Sequence, residues 1–355
     1  MIIINGKFLL QRRTGVQRYA YELTNLLLKS ELEVKIIVPK DVDLSEFEFP
    51  EHAFIKAGVF KNRTLWEQID LSVYLKRKKN ALLISFCNTG PVLLKNHIVC
   101  IHDMSYHYNP KWFSKSFSSY YKVLIPLLAK KALHIVTVSE FSKKQICETL
   151  GVQQSKVTVI NNAPSCKFVA PGLDSIVFQK DDFFLFVGSH DPRKNIQLLI
   201  KAFSLKEYCS LKLVVIGASA NSFHNEDYHA TSNVSFVTNC DDLMLADYYK
   251  RARALINSSF YEGFGLPVVE AMASGCPLII SEIPAFVEVA QKKANYFNPN
   301  SLSTLKIALN NFLKKTDSEL KSLIINNYQF SFNYDWEMSC NQLVKLIHKL
   351  KHERN

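Results

Sequence analysis

The stretch FYEGFGLPVVEAMASGCPLIIS, residues 260–281, is the one on which the fold turns. Pro267 suits a first helical turn and Gly275 suits a C-terminal cap, so Pro267–Ser274 reads as a short helix. The apolar runs Ala254–Ser258 before it and Pro277–Ser281 after it read as strands, and Ile283–Ala290 as the next helix. Strand, helix and strand with no hairpin turn between them form the repeating unit of a parallel sheet covered on both faces.

The alternation continues in both directions. In the N-terminal half, strand-like runs at Met1–Asn5, Leu32–Pro39, Ala81–Phe86, His97–Asp103, His134–Ser139 and Lys156–Asn161 are separated by helical patterns. Those helices fall at Gly15–Lys29, Leu65–Lys78, Ser114–Ala132 and Glu140–Leu150. The pattern restarts with strands at Phe183–Gly188, Lys212–Gly217 and Asn233–Val237 and helices at Asn195–Phe203, Ala246–Ala252 and Ser301–Lys315. Between the halves, Asn162–Ser175 carries two prolines and a glycine and reads as a linker. After Asn326 a long helix is expected, with apolar spacing at Leu343, Leu346, Ile347 and Leu350. The expected architecture is α/β: two Rossmann-like doubly wound domains, 1–165 and 166–333, facing across a cleft. A C-terminal helix over 334–355 crosses back to the first.

With 48% hydrophobic and 21% charged residues, the composition is that of a soluble globular protein. The N-terminus lacks a basic leader and no apolar run reaches membrane-spanning length, so a cytoplasmic or peripheral protein is expected. The eight cysteines never form a C-x-x-C pair and read as reduced thiols. A net charge of +11 calls for an anionic partner. The excess concentrates in residues 104–139, which hold no acid but carry Lys111, Lys115, Lys122, Lys130 and Lys131 among Trp112, Phe113, Phe117, Tyr120 and Tyr121. Such a mixture suits an anionic membrane surface, or equally a helix with one packed aromatic face and one solvated basic face. No nucleic-acid-binding module accompanies the charge, so no nucleic acid partner is expected.

Two places suit anion chemistry. Gly188 ends the strand FFLFVG, and Arg193 and Lys194 follow it just before a helix, where cations and free N–H groups can hold phosphate. The opening stretch is the other. Gly263 and Gly265 remove side chains at a helix N-terminus, so a diphosphate can approach the N–H groups of Gly265 and Leu266. A carboxylate there would repel phosphate. Glu262 and Glu270 are therefore expected to accept hydrogen bonds from hydroxyls on either side of it, as a nucleotide sugar presents them. Each acid also has a structural reading, Glu270 as a partner of the helix dipole and Glu262 as a loop cap. In the first half, Gly15 precedes a helix and can admit a phosphate or sugar. His102 ends a strand, either as a ligand to a sugar hydroxyl, as a group at the reacting centre or as a satisfied loop histidine. There is no G-x-G-x-x-G fingerprint and no P-loop. Asp41 and Asp43, and separately His224 and His229, lack the surroundings of a metal site.

Together YEGFGLPVVEAMASGCPLIISEIPAFVEVA, FLFVGSHDPRKN, IHDMSYHYNP, VTVSEFSKKQI and TGVQRYAYEL resemble, in order, the retaining glycosyltransferases of family 4, which have the GT-B fold. RTGVQRY and LWEQIDL further resemble bacterial mannosyl- and rhamnosyltransferases of cell-surface polysaccharide assembly. The resemblance implies a GDP- or UDP-linked sugar as donor and a polyprenyl-diphosphate-linked oligosaccharide as acceptor, the acceptor bound by the first domain and the donor by the second. The expected location is the inner face of the cytoplasmic membrane. By position it implies that Arg193 and Lys194 hold the diphosphate, Glu270 the ribose and Glu262 the donor sugar. Phe264, Gly265 and Leu266 would add backbone contacts, with Gly15 and Gly188 near the phosphates and His102 near the sugar. No metal or other cofactor is implied, because fixed cations and helix dipoles take its place. Retention is drawn as attack from the leaving-group face, which makes Glu262 a positioning group. A non-catalytic scaffold of the same fold, or an epimerase or phosphorylase acting on sugar phosphates, are the competing readings.

Overall fold

The computed structural model describes residues 1–78, 80–217 and 232–353; His224 and His229 lie outside the described residues. The chain folds as two compact units. The first comprises Met1–Met104, Ser119–Asn162 and Trp336–Asn355, and the second Ser105–Ser118 and Ala163–Asp335. The segment Ser105–Ser118, read from sequence as part of the first domain, thus belongs to the second unit.

In the first unit seven parallel strands are ordered β3-β2-β1-β4-β5-β6-β7. They are β1 (Ile2–Asn5), β2 (Val34–Val38), β3 (Phe54–Lys56), β4 (Leu82–Ser85), β5 (His97–Cys100), β6 (His134–Thr137) and β7 (Val157–Val159). Ile2, Ile3, Ile4, Ile36 and Ile37 are all wholly buried, as continuous apolar runs require when helices cover both faces. The C-terminal helix Trp336–His352 packs on the helix Gly15–Leu28, with Trp336 edge-on to Tyr19 and Ser339 Oγ donating to the carbonyl of Asn161 at 2.9 Å. It belongs to the first unit. The long helix expected after Asn326 is two helices: Asp317–Ser331 ends in a turn before Trp336.

The second unit has six parallel strands ordered β10-β9-β8-β11-β12-β13. They are β8 (Phe183–Val187), β9 (Lys212–Ile216), β10 (Val234–Val237), β11 (Ala254–Asn257), β12 (Leu278–Ser281) and β13 (Asn295–Phe297). Its core joins Phe184, Phe186, Leu213 and Ile256 of the sheet to Ile196, Phe203, Leu309 and Phe312 of the helices. Strands β3 (FIK) and β13 (NYF) escape the sequence pattern because each carries a polar residue and only two apolar ones, so neither forms an apolar run. The expected linker is packed structure. Phe168 is wholly buried, the N–H of Ala170 donates to Ala273 O at 3.0 Å, and the Tyr328 hydroxyl donates to Ala170 O at 2.8 Å.

In both sheets the strand order reverses once, between β1 and β4 and between β8 and β11. Ligands of open parallel sheets bind beyond the carboxyl ends of the strands at such a reversal.

Candidate active site

Arg193, Lys194 and Glu262 meet at the reversal in the second unit. The loop after β8 runs through a 3-10 turn, Pro192–Lys194, to Asn195, whose φ of 54° lies in the left-handed region that asparagine tolerates. Asn195 Nδ2 donates to the carbonyls of Ser258 (3.1 Å) and Pro299 (2.8 Å), and Ser258 Oγ donates to those of Lys194 (3.1 Å) and Asn195 (2.8 Å). The N–H of Phe260 adds a bond to Arg193 O at 2.9 Å. These bonds lock the cation loop to the segment that follows β11.

Across the seam thus made, Lys194 Nζ donates to Glu262 Oε1, and Arg193 Nη1 donates to Glu262 Oε2 at 2.9 Å and to Tyr261 O at 3.0 Å. Ser259 Oγ donates to Glu262 Oε1 at 2.9 Å, and Arg193 Nε lies 3.6 Å from the wholly buried Asp191. Burial alone would push the Glu262 carboxyl up; the Lys194 and Arg193 charges, with hydrogen bonds from Lys194 and Ser259, outweigh it and hold its pKa at about 2. Glu262 is therefore an anion at neutral pH and the counter-ion of both cations. A group so ionised serves as hydrogen-bond acceptor or electrostatic partner, not as a proton donor.

The helix read at Pro267–Ser274 spans Leu266–Ala273, with Gly265 at its N-cap. Gly265 has φ 104°, and a Cβ there would sit 2.6 Å from the Phe286 ring. Its lack of a side chain is thus demanded by backbone and packing. Phe264 is buried, its ring edge-on to Tyr334. Glu270 lies beyond the first helical turn, which removes the dipole reading; it is buried, and Tyr249 Oη donates to its Oε2 at 3.0 Å. Gly188 follows β8 directly, its N–H on Ile216 O at 2.9 Å, and a Cβ on Gly217 would fall 1.9 Å from the Gly188 carbonyl oxygen. Gly217 thus lets the ends of β8 and β9 touch beside the cation loop.

Other expected residues lie in the first unit. Gly15 is exposed at the start of its helix, behind Thr14, whose N–H donates to the Gln17 side chain at 3.2 Å. His102 is buried: its Nε2 donates to Phe86 O at 2.7 Å, its ring meets Tyr19 edge-on, and its N–H donates to Asn88 Oδ1 at 2.8 Å. Burial lowers its pKa, opposed by the Phe86 bond and by Asp103, so the ring is neutral, with Nδ1 left as its acceptor. Lys111, Lys115, Lys122, Lys130 and Lys131 are all exposed. Asp41 is paired to Arg63 through both oxygens, and Asp43 caps Ser45.

Sequence reading missed several residues. Asp191, Asn195 and Ser259 support the cations and Glu262, and only the left-handed tolerance of Asn195 was a usable signal. Tyr249, which anchors Glu270, carries no motif. In the first unit the reversal between β1 and β4 holds a buried Glu67. It accepts from Lys7 Nζ (2.7 Å) on Oε2 and from Asn5 Nδ2 (2.8 Å) and Thr89 Oγ1 (2.9 Å) on Oε1.

Two parallel Rossmann-like sheets, a returning C-terminal helix and a cation pair at the second sheet's reversal define an α/β protein with a charged site at the carboxyl ends of its strands. The family models place it further. Residues 174–330 match Glycosyl transferases group 1, and residues 13–164 match Glycosyltransferase Family 4. The chain belongs to these glycosyltransferases. It is 27% identical over 352 residues to the O-antigen chain mannosyltransferase RfbU of Salmonella typhimurium, covering 94% of this chain and 96% of that one. With the O-antigen chain mannosyltransferase B of Escherichia coli it shares 24% over 330 residues, 82% and 85% of the two chains. Among solved structures, the sucrose-phosphate synthase of Thermosynechococcus elongatus superposes with a TM-score of 0.72 at 17% identity, over 98% of each chain. WaaG, a glycosyltransferase involved in lipopolysaccharide biosynthesis, does so at 0.69 and 13%, over 98% of this chain and 99% of that one.

Proposed function

We propose that this glycosyltransferase moves a hexose, mannose by the example of its relatives, from a GDP- or UDP-linked donor to a growing surface polysaccharide such as an O-antigen. The observation that carries the reading is the Arg193–Lys194–Glu262 cluster at the reversal of the second sheet. As the bond from the anomeric carbon to phosphate loosens, negative charge grows on the departing diphosphate. Two fixed cations backed by a helix N-terminus stabilise it where it develops. Glu262, already ionised, positions the cations and accepts from the sugar; Glu270, held by Tyr249, accepts from the ribose.

The same reading takes the reaction as retaining and independent of metal, with His102 as a neutral partner of the sugar. The acceptor is taken to be linked to a polyprenyl diphosphate. Support for a membrane-facing surface comes from the helix Lys115–Lys131. Tyr120, Val123 and Leu127 are exposed on one side of it, flanked by Lys130 and Lys131. Among the described residues, no helix is long and apolar enough to cross a membrane.

The test is transfer of labelled sugar from GDP-mannose, and separately from UDP-linked hexoses, to a lipid-linked acceptor. NMR of the product reads the anomer, and a parallel reaction in EDTA reads metal dependence. Transfer that is abolished in Lys194→Ala supports the reading; transfer unchanged in that variant refutes it.

A further inference from the structure

A second polar site lies beside the Glu262 loop, wholly within the second unit. It is a groove of ≈ 520 Å³ lined by Tyr108, Asn109 and Trp112 together with Glu282, Asn298 and Asn300. Its size is that of a small-ligand cleft. Glu282 follows β12 and Asn298 follows β13, so these two stand at the carboxyl ends of the parallel strands, where such sheets bind ligands. Phe260 lines the groove and donates its N–H to Arg193 O, which joins the groove to the cation cluster.

Its aromatic side is a fixed platform. The Tyr108 ring is 61% exposed, yet it lies against two buried rings, Tyr261 at 5.0 Å and Trp112 at 5.8 Å between centroids, both tilted by 33°. A tyrosine held outward by stacking from behind presents a flat apolar face at little further entropic cost. The same groove is lined by Glu282, Asn298 and Asn300, all exposed. Among the groove-lining residues there is no lysine or arginine, and Glu282 carries negative charge, so phosphate and anionic lipid are disfavoured. A flat ring sharing a groove with planar amides and a carboxylate matches a neutral sugar, with C–H groups on one face and vicinal hydroxyls at the edge.

We propose that this groove binds a sugar ring of a neutral glycan, with Tyr108 as the stacking platform and Glu282, Asn298 and Asn300 reading its hydroxyls. The choice of glycan as ligand rests on the transferase reading above. The segment Ser105–Ser118 then serves the second unit as a glycan-binding arm, which gives half of the aromatic, basic run a use apart from any membrane.

The test uses the full chain and mannotriose as probe, read by saturation-transfer NMR and by tryptophan fluorescence, with GDP and UDP thermal shifts in parallel. Wild type is expected to show saturation of the mannotriose ring protons. Tyr108→Ala should weaken binding about tenfold and Glu282→Gln about threefold, as loss of a stacked ring and of a charged acceptor would. Both positions are exposed, and an unchanged nucleotide shift would show that each variant is folded. No mannotriose binding by wild type, or equal binding by wild type and both variants, overturns the glycan groove. Absence of any nucleotide shift in wild type instead strikes the donor reading and leaves the NMR result to judge the groove separately.

Discussion

Replacing Glu262 by glutamine removes the counter-ion of two cations while keeping shape and hydrogen-bonding capacity. The carboxyl is buried and its pKa stands at about 2 against an ordinary 4.5. At about 1.4 kcal/mol per pH unit, that difference is worth about 3 kcal/mol of folded stability at neutral pH. Because the folded pKa is depressed, the contribution is complete above pH 4.5 and fades as pH falls toward 2. Urea unfolding should therefore find Glu262→Gln about 3 kcal/mol less stable than wild type at pH 7, with the gap narrowing below pH 4.5. Anion binding should move the other way. A phosphate sharing Lys194 and Arg193 would lie about 6 Å from the carboxylate, where like charges at an effective dielectric near 20 repel by about 3 kcal/mol before screening. Calorimetry with inorganic pyrophosphate should find the glutamine variant binding about tenfold more tightly, while Lys194→Ala loses binding and both lose sugar transfer. Pyrophosphate binding weakened in Glu262→Gln as in Lys194→Ala would refute the assignment of these cations to a phosphate.

Gly265→Ala forces a side chain into φ 104° and against Phe286, so a loss of about 2–3 kcal/mol is expected by thermal or urea unfolding. His97 is wholly buried with no hydrogen-bond partner at either ring nitrogen, and burial lowers its pKa to about 3. The unfolded chain takes up that proton below pH 6.5 and the folded one does not until about 3. Stability should fall by up to about 1.4 kcal/mol per pH unit across that window, and His97→Leu should flatten the slope in urea titrations. Tyr120, Val123 and Leu127 changed together to serine should abolish sedimentation with anionic liposomes at low salt and leave the nucleotide thermal shift intact. Glu67→Gln strands the Lys7 charge and should lose about 3 kcal/mol, most of it recovered in the double variant Lys7→Met with Glu67→Gln, whose amide oxygen still accepts from Asn5 and Thr89, by urea unfolding.

What was legible in the sequence was whatever is local. Gly265, Pro267 and Gly275 write a turn, a helix start and a helix end into a few residues, and the continuous apolar strands declare a parallel sheet. Arg193, Lys194 and Glu262 could be nominated one by one, because each stands beside a turn that opens a helix. Their direct pairing could not, since they are 68 and 69 residues apart and meet only when β8 and β11 become neighbours. Argument from charge alone set Glu262 apart from the cations to bind a sugar; the structure makes it their partner first. Ser105–Ser118 misled for a similar reason. Its continuity with the helix Lys115–Lys131 assigns it to the first half of the chain, but the stacking of Tyr108 and Trp112 on Tyr261, which no periodicity reports, ties it to the second unit.

The least legible site is Glu67. In the helical stretch 63–76 the apolar Leu65, Ile69 and Val73 are all more than 40% exposed. A wide π turn over Trp66–Asp70 breaks the helical phase and turns Trp66 and Glu67 inward, where the Trp66 indole donates to Ala57 O at 2.8 Å. The outcome is that each sheet carries a lysine–glutamate pair where its strand order reverses: Lys7 with Glu67 beyond β1, and Lys194 with Glu262 beyond β8. The reason is common to both. At a reversal the two central strands send their connections to opposite faces of the sheet, so no loop fills the crevice beyond their carboxyl ends. Polar groups there, Asn5 in one sheet and Ser259 in the other, need acceptors that apolar side chains cannot supply. The glutamate of each pair is that acceptor, and its lysine is the counter-ion. The two pairs differ in one respect that bears on function. Glu67 is surrounded by Lys7, Asn5 and Thr89, a single cation with neutral donors. Glu262 holds two cations, and Asp191, 3.6 Å from Arg193 Nε, balances them as a second carboxylate, so what the second crevice has to offer a diphosphate is a second cationic donor rather than net charge.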